Sequence, residues 1–340
     1  MRFGRFAVAA VVLGLLTVLS LPAWAQEVPL TGETLVVYSG RSEGLIAPIL
    51  TQFTAETGVA VEVRYGDTAQ MAGVILEEGD NSPADVYIGQ DAGALGALAR
   101  ENRLAPLSSD ILERVPARFR STEGVWVGLS GRARVLVYNT DMVTPADLPA
   151  SILDLTDPAW AGRVGWAPTN GSLQANITAM RVLLGEDATR AWLEGMVANG
   201  TVLYDGNSAI VQAVIDGEIA VGLTNHYYVY GFLADTPTAP VADYFFPDGD
   251  AGGLINVAGT GVVSTSDQPG LAQRLILYLL GNTAQNYFVN ETYEYALVAG
   301  ISPNVNVPLL SEIVAPEIDL SNLNDLETTL NLLRQTGALP

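Results

Sequence analysis

The stretch LVVYSGRSEGLIAPILTQFTAETGVAVEVRYGD, residues 35–67, holds one full strand–helix–strand period. LVVYSG (35–40) is a short β-rich run, and Leu45, Ile46, Ile49, Leu50 and Phe53 then recur at helical spacing up to Gly58, a helix-ending residue. In VAVEVRYGD, Val59, Val61 and Val63 alternate onto one face, as a half-buried strand requires. The rhythm continues with a helix over 68–78 closing at Gly79, a strand in DVYIG (85–89) and a helix over 92–101. Alternation at this period predicts right-handed crossovers and a parallel sheet.

A second α/β series begins after ARVLVY (133–138). RVGWAP, TVLYDG and EIAVGLTN read as short strands, separated by helical patterns over 172–184, 188–198 and 208–215. GLINVAGTGVVS (253–264) reads as two more short strands, and 271–280 and 284–294 as helices returning to the first unit. No Gly/Ser- or Pro-rich linker separates the units. The chain is therefore expected to cross between two lobes on strands, more than once.

Composition removes much chemistry. The 340 residues carry 37 acidic and 16 basic side chains, a formal charge of −21, with no cysteine and one histidine, His226. All the bases are arginine. Without lysine there is no Schiff-base chemistry, Walker-type phosphate loop or kinase apparatus; without cysteine there are no thiolate metal sites, disulfides or thiol catalysis. So acidic a chain is a poor partner for nucleic acid or an anionic membrane surface. At the N-terminus, Arg2 and Arg5 precede an apolar run from Ala7 to Leu21, and Ala23-Trp24-Ala25 has the small-x-small form of a signal-peptidase site. The run is shorter than the roughly 17 residues that span a bilayer. Cleavage after Ala25 leaves 14 arginines against 37 acids, a net charge of −23.

In an open parallel sheet, ligands bind beyond the carboxyl ends of the strands. Those ends deliver Tyr38, Arg41 and Ser42, then Asp67, then Gln90 and Asp91; in the second unit they deliver APTNGS (167–172) and LTNHYYVY (223–230). A cleft between two lobes would gather them. Tyr227 and Tyr228 are either aromatic packing or the phenolate ligands of a hard trivalent metal, since soft-metal ligands are missing. Adjacent tyrosines diverge in a strand, whereas a turn would aim both inward. His226 abuts the pair. Asn170, Gly171 and Ser172 open one helical pattern and Asn207 opens another, positions that cap helices or bind anions. Arg132 and Arg134, two apart in a strand, share a face and would hold an anion or pair with acids. Gly40-Arg41-Ser42-Glu43-Gly44 matches GxSxG, which admits a serine hydrolase with His226 as base, and a carboxylate-pair glycosidase remains open among 37 acids.

The stretches VVYSGR, FTAETGVAVEV, EEGDNSPADVYIGQ, LSGRARVLVYNT, GNSAIVQAVIDGEIAVGLTNHYYVY and GLINVAGTGVV together resemble the periplasmic ferric-iron-binding proteins of ABC importers, the Fbp/Fut-like group. The resemblance implies an α/β, two-lobed type II periplasmic binding protein fold with the ligand cleft between lobes. Residues 26–134 plus about 258–308 would form the N-terminal lobe, and about 135–257 plus 309–340 the C-terminal lobe. It implies a non-enzymatic monomer that binds Fe(III) through Tyr227 and Tyr228 and presents it to a permease with its ATPase. A synergistic anion, carbonate or phosphate, would lie against Asn170, Gly171, Ser172, Asn207 and Asn225, near Arg132 or Arg41 and, more remotely, Arg134. Where some members supply a histidine and a glutamate from the first lobe, this chain has Ser42 and Gln90; Tyr38, Asp67, Gln90, Asp91, Ser42 and His226 are the remaining candidate metal ligands. The rival reading keeps the fold and gives the cleft an organic or phosphonate anion without metal.

Overall fold

The computed structural model describes Met1 and residues 32–339, so the N-terminal leader expected above lies outside the described residues. Strand β1 (Thr34–Ser39) leads into helix α1 (Glu43–Thr57), which ends where Gly58 adopts φ 77°. Next come β2 (Ala60–Tyr65), α2 (Thr68–Glu78), β3 (Val86–Gly89), α3 (Ala92–Arg100) and the single turn α4 (Ser109–Leu112). β1 pairs in parallel with both β2 and β3, as the alternating pattern requires. Leu35, Val37, Ile46, Ile49, Phe53, Val86 and Ile88 are buried in one core beneath these elements.

β4 (Val127–Asn139) is the backbone of the junction. Its first half, 127–133, pairs antiparallel with β9 (Ile255–Val262), and its second half, 134–138, pairs antiparallel with β7 (Val221–Asn225). One strand thus belongs to two sheets and changes allegiance at Arg134. β5 (Val164–Trp166) and β6 (Val202–Leu203) extend the second sheet in parallel, and β8 (Val241–Tyr244) pairs with the far end of β4. Helices α5 (Gly171–Leu184), α6 (Glu186–Ala198), α7 (Asn207–Ile215) and α8 (Tyr227–Asp235) cover this sheet; α9 (Pro269–Leu279), α10 (Asn282–Asn290) and the short strand β10 (Tyr295–Ala296) return to the first. The last helix, α11 (Leu326–Gln335), packs on α5. Among the described residues no helix is long and apolar enough to cross a membrane.

Two readings of the sequence change. Residues 253–264 form the single strand β9, not two, because Gly259 and Gly261 serve close strand approach and not turns: a Cβ on either would stand 2.8 Å from the carbonyl oxygen of Val127 or Val125. The C-terminal residues also do not stay with one lobe. Leu320, Leu323 and Leu326 are buried in the first core, while Leu332, Leu333 and Ala338 are buried in the second.

The C-terminal segment reaches the first core by lying on a glycine face of α3. A Cβ at Gly96 would meet Asn324 Cβ at 2.8 Å and its Cα at 3.0 Å. Glycine to alanine inside a helix normally stabilises by about 0.5–1 kcal/mol. At Gly96 the sign reverses: Gly96→Ala is expected to destabilise by about 1–3 kcal/mol, the cost of overpacking against backbone. Urea unfolding measures it, and an unchanged or raised midpoint would contradict this packing.

Candidate metal and anion centre

The two tyrosines do not sit on a strand end. They open α8, so their side chains leave the axis about 100° apart and not on opposite faces. Their rings lie side by side, 4.4 Å between centroids at 32°. Tyr227 is buried and Tyr228 half-buried. The Tyr227 hydroxyl oxygen accepts from Gln90 Nε2 at 2.9 Å and from Asn225 Nδ2 at 3.3 Å. Burial first, then Tyr228 and Glu294, push its pKa well above 10, against the opposing pull of Arg132 and Arg41. Without a cation the phenol therefore keeps its proton.

His226 fixes the start of this helix and is not available to a ligand. Its Nδ1 accepts the Ala133 N–H at 3.2 Å, which places the ring proton on Nε2, donated to the Tyr293 carbonyl at 2.9 Å. The ring stacks on Tyr295 at 4.6 Å, and burial lowers its pKa to about 4. Both nitrogens are used, so this candidate ligand, and the base of a hydrolase with it, falls away.

Three guanidiniums surround the phenols. Arg41 forms a two-pronged pair with Glu294, at 3.0 Å from Nη1 and through a closer Nη2 contact, and Glu294 also accepts from Ser130 Oγ at 3.0 Å and Thr292 Oγ1 at 2.8 Å. Arg134 Nη1 donates to Asn225 Oδ1 at 3.1 Å, while its Nε and Nη2 have no partner among the described residues. Burial, then the Arg132 charge, lower its pKa to about 9. Arg132 is wholly buried, and none of its three nitrogens has a hydrogen-bond partner among the described residues. An unpaired buried charge costs several kcal/mol. Sites of this kind are completed by an anion.

Several second-lobe anion candidates meet the cluster through Asn225, which bonds Ser172, Tyr227 and Arg134. Asn170 caps α5 by accepting the Ser172 N–H at 3.0 Å, Ser172 Oγ accepts from Asn225 Nδ2 at 3.1 Å, and buried Asn207 has an unpartnered Nδ2. Gly171 is where the lobes touch: a Cβ there would stand 2.6 Å from Asp91 Oδ2 and 2.9 Å from Thr68 Cβ. Asp91 caps α3 through Oδ1, leaving Oδ2 buried and without a partner among the described residues, and burial raises its pKa. Gln90 Oε1 is likewise buried and unpartnered.

Three other first-lobe candidates lie outside the cluster. Ser42 is an exposed residue preceding α1, and Asp67 is an exposed member of a capping box with Gln70 at the start of α2. Tyr38 spends its hydroxyl on Glu78 at 3.0 Å and Arg64 at 3.3 Å. With both nitrogens of the one histidine engaged, Ser42 of the GxSxG stretch has no free imidazole base. Glu294, the carboxylate that balances Arg41, carries no sequence signal, being 253 residues distant in an irregular stretch after α10.

No group of three His, Asp or Glu that could hold a metal occurs among the described residues. The available donors are oxygens: two phenols, Asp91 Oδ2 and Gln90 Oε1. That set suits a hard trivalent cation, and the guanidiniums around it favour a cation accompanied by an anion over a bare one. Residues 81–319 match the bacterial extracellular solute-binding proteins. An Fe(3+)-binding periplasmic protein of Serratia marcescens is 31% identical, covering 93% of this chain and 94% of its own. The major ferric iron-binding protein of Neisseria meningitidis is 32% identical over 89% of this chain and 92% of its own. Iron-bound HitA from Pseudomonas aeruginosa superposes with a TM-score of 0.86 at 31% identity, covering 90% of this chain and 99% of HitA. On these matches the chain belongs to the bacterial extracellular solute-binding protein family, among its periplasmic ferric-iron-binding members.

Proposed function

We propose that this protein is an extracytoplasmic receptor that captures Fe(III) with a synergistic anion and delivers it to the permease and ATPase of an ABC importer. It acts as a binding protein and not as an enzyme, as a monomer, in the periplasm after cleavage following Ala25. The observation that carries the reading is the side-by-side pair Tyr227 and Tyr228 near a buried guanidinium, Arg132, that has no hydrogen-bond partner among the described residues. Two phenolates supply anionic ligands. Arg132, Arg134, Ser172, Asn207 and the N-terminus of α5 hold the anion, whose oxygens complete the metal shell together with Asp91.

Charge supports the pairing. Three guanidiniums and a trivalent ion outweigh the paired Glu294, Asp91 and two phenolates and leave the site positive, and a multivalent anion such as carbonate or phosphate offsets the excess. A second reading, in which a phosphate-type anion binds the same guanidinium without metal, is less well supported, because the similar proteins bind ferric iron. The lobes are taken as 26–134 with about 258–308 and about 135–257, with 309–340 spanning both.

Ferric citrate added to the purified apo protein, with phosphate or carbonate, is expected to produce a visible tyrosinate-to-iron charge-transfer band. Tyr227→Phe and Tyr228→Phe should each abolish or strongly weaken it while the far-ultraviolet circular dichroism stays unchanged. A colourless wild type under both anions would refute iron capture, and tight metal-free phosphate binding by calorimetry would favour the second reading. Arg132→Leu should remove the dependence of iron binding on added anion; a variant as anion-dependent as the wild type would take Arg132 out of the anion site. Gly171→Ala places a methyl group where the lobes meet, so the iron-loaded variant should show a larger radius of gyration by small-angle scattering than loaded wild type. Equal radii would mean that Gly171 is not the contact that limits closure.

A further inference from the structure

Gln90 follows β3 in the first lobe and is buried, yet its amide nitrogen lies 2.9 Å from the hydroxyl oxygen of Tyr227 in the second lobe. Asn225, from the second lobe itself, approaches the same oxygen at 3.3 Å. A phenolic oxygen surrounded by two amide N–H groups is placed as an acceptor, and an acceptor of two donors is stabilised most when it is anionic. Neither amide adds charge, so neither competes with the phenolate for the cation. A carboxylate at position 90 would do the opposite, adding a negative charge and no donor near neutral pH.

We infer that Gln90 is a positioning residue that donates its N–H across the cleft to the metal-bound Tyr227 phenolate, tuning the iron and reporting closure. This rests on the reading of Tyr227 as a ferric ligand. The bond joins the lobes, so it forms only when they are together, and it acts on the ligand atom and not on the metal. A hydrogen bond withdraws electron density from the phenolate oxygen. Its loss raises the energy of the donor orbital, narrows the gap to iron and favours Fe(III) over Fe(II), as outer-shell partners of metal ligands do elsewhere.

The test compares the full-length wild type with Gln90→Leu and Gln90→Met, each loaded with Fe(III) in phosphate. Gln90→Met matches the glutamine in length without an N–H, which covers the case in which the branched leucine disturbs the fold. Both variants are expected to move the charge-transfer maximum to longer wavelength and the Fe(III)/Fe(II) potential to a more negative value, with one iron still bound. Variants that retain the wild-type maximum and potential, whatever happens to their affinity, would overturn the inference while leaving iron capture intact. A wild type with no band would overturn both, so the two failures are told apart.

Discussion

Burial of three guanidiniums around one phenol is the constraint on which the rest of this structure depends. Arg41, Arg132 and Arg134 are all buried, and among the described residues only Arg41 of the three has a carboxylate partner. Desolvating a cation is costly whether or not it is later paired, and in the proposed function an anionic ligand completes these side chains. β4 sets the position of two of them by its course: the residues at 132 and 134 share a face at the point where the strand leaves one sheet for the other. The charge therefore sits at the seam between the lobes, where a cargo can reach it when they part.

The seam is closed by small residues. Gly171 brings the start of α5 against Thr68 and Asp91, and Gly93 and Gly96 seat residues 323–324 on α3. Asp91 also caps α3, so the helix that carries the C-terminal segment starts at the site itself. Motion that separates Gly171 from Asp91 would be felt along α3 and at the segment resting on it, where Arg181 of α5 holds Asp325 at 2.8 Å. Among the described residues the lobes are thus joined by strands and packed elements, as expected from a sequence without a linker.

Much of this was legible in the amino-acid order, for physical reasons. Strand and helix periods differ, so residues 35–101 announce a parallel sheet directly, and strand-end residues then follow from topology. The stretches APTNGS and LTNHYYVY and the Arg132/Arg134 face follow in this way, and in the structure Asn225 bonds Ser172, Tyr227 and Arg134 while the rings of Tyr227 and Tyr228 lie against one another. Other features are matters of tertiary contact. Nothing local says that Asn225 ends a strand and Tyr227 at once begins a helix, or that the two nitrogens of His226 are taken by Ala133 and Tyr293. Glu294 meets Arg41 across most of the chain. Gly259 and Gly261 look like turn residues because the chain they approach, Val127 of β4 and Val125 just before it, is distant in sequence. Ser42 and Asp67 lie beside the right strands, but each precedes a helix and stays in solvent.

The central claim is that one ferric ion is held by both phenolates together with an anion held by Arg132. Anomalous diffraction at the iron absorption edge, from crystals of the protein loaded with Fe(III) and phosphate, tests it most directly. The account predicts a single strong peak within bonding distance of the Tyr227 and Tyr228 oxygens, with phosphate density bridging that peak and the Arg132 guanidinium. Iron bound elsewhere, iron on one tyrosine alone, or a loaded site with Arg132 still unpartnered would contradict it.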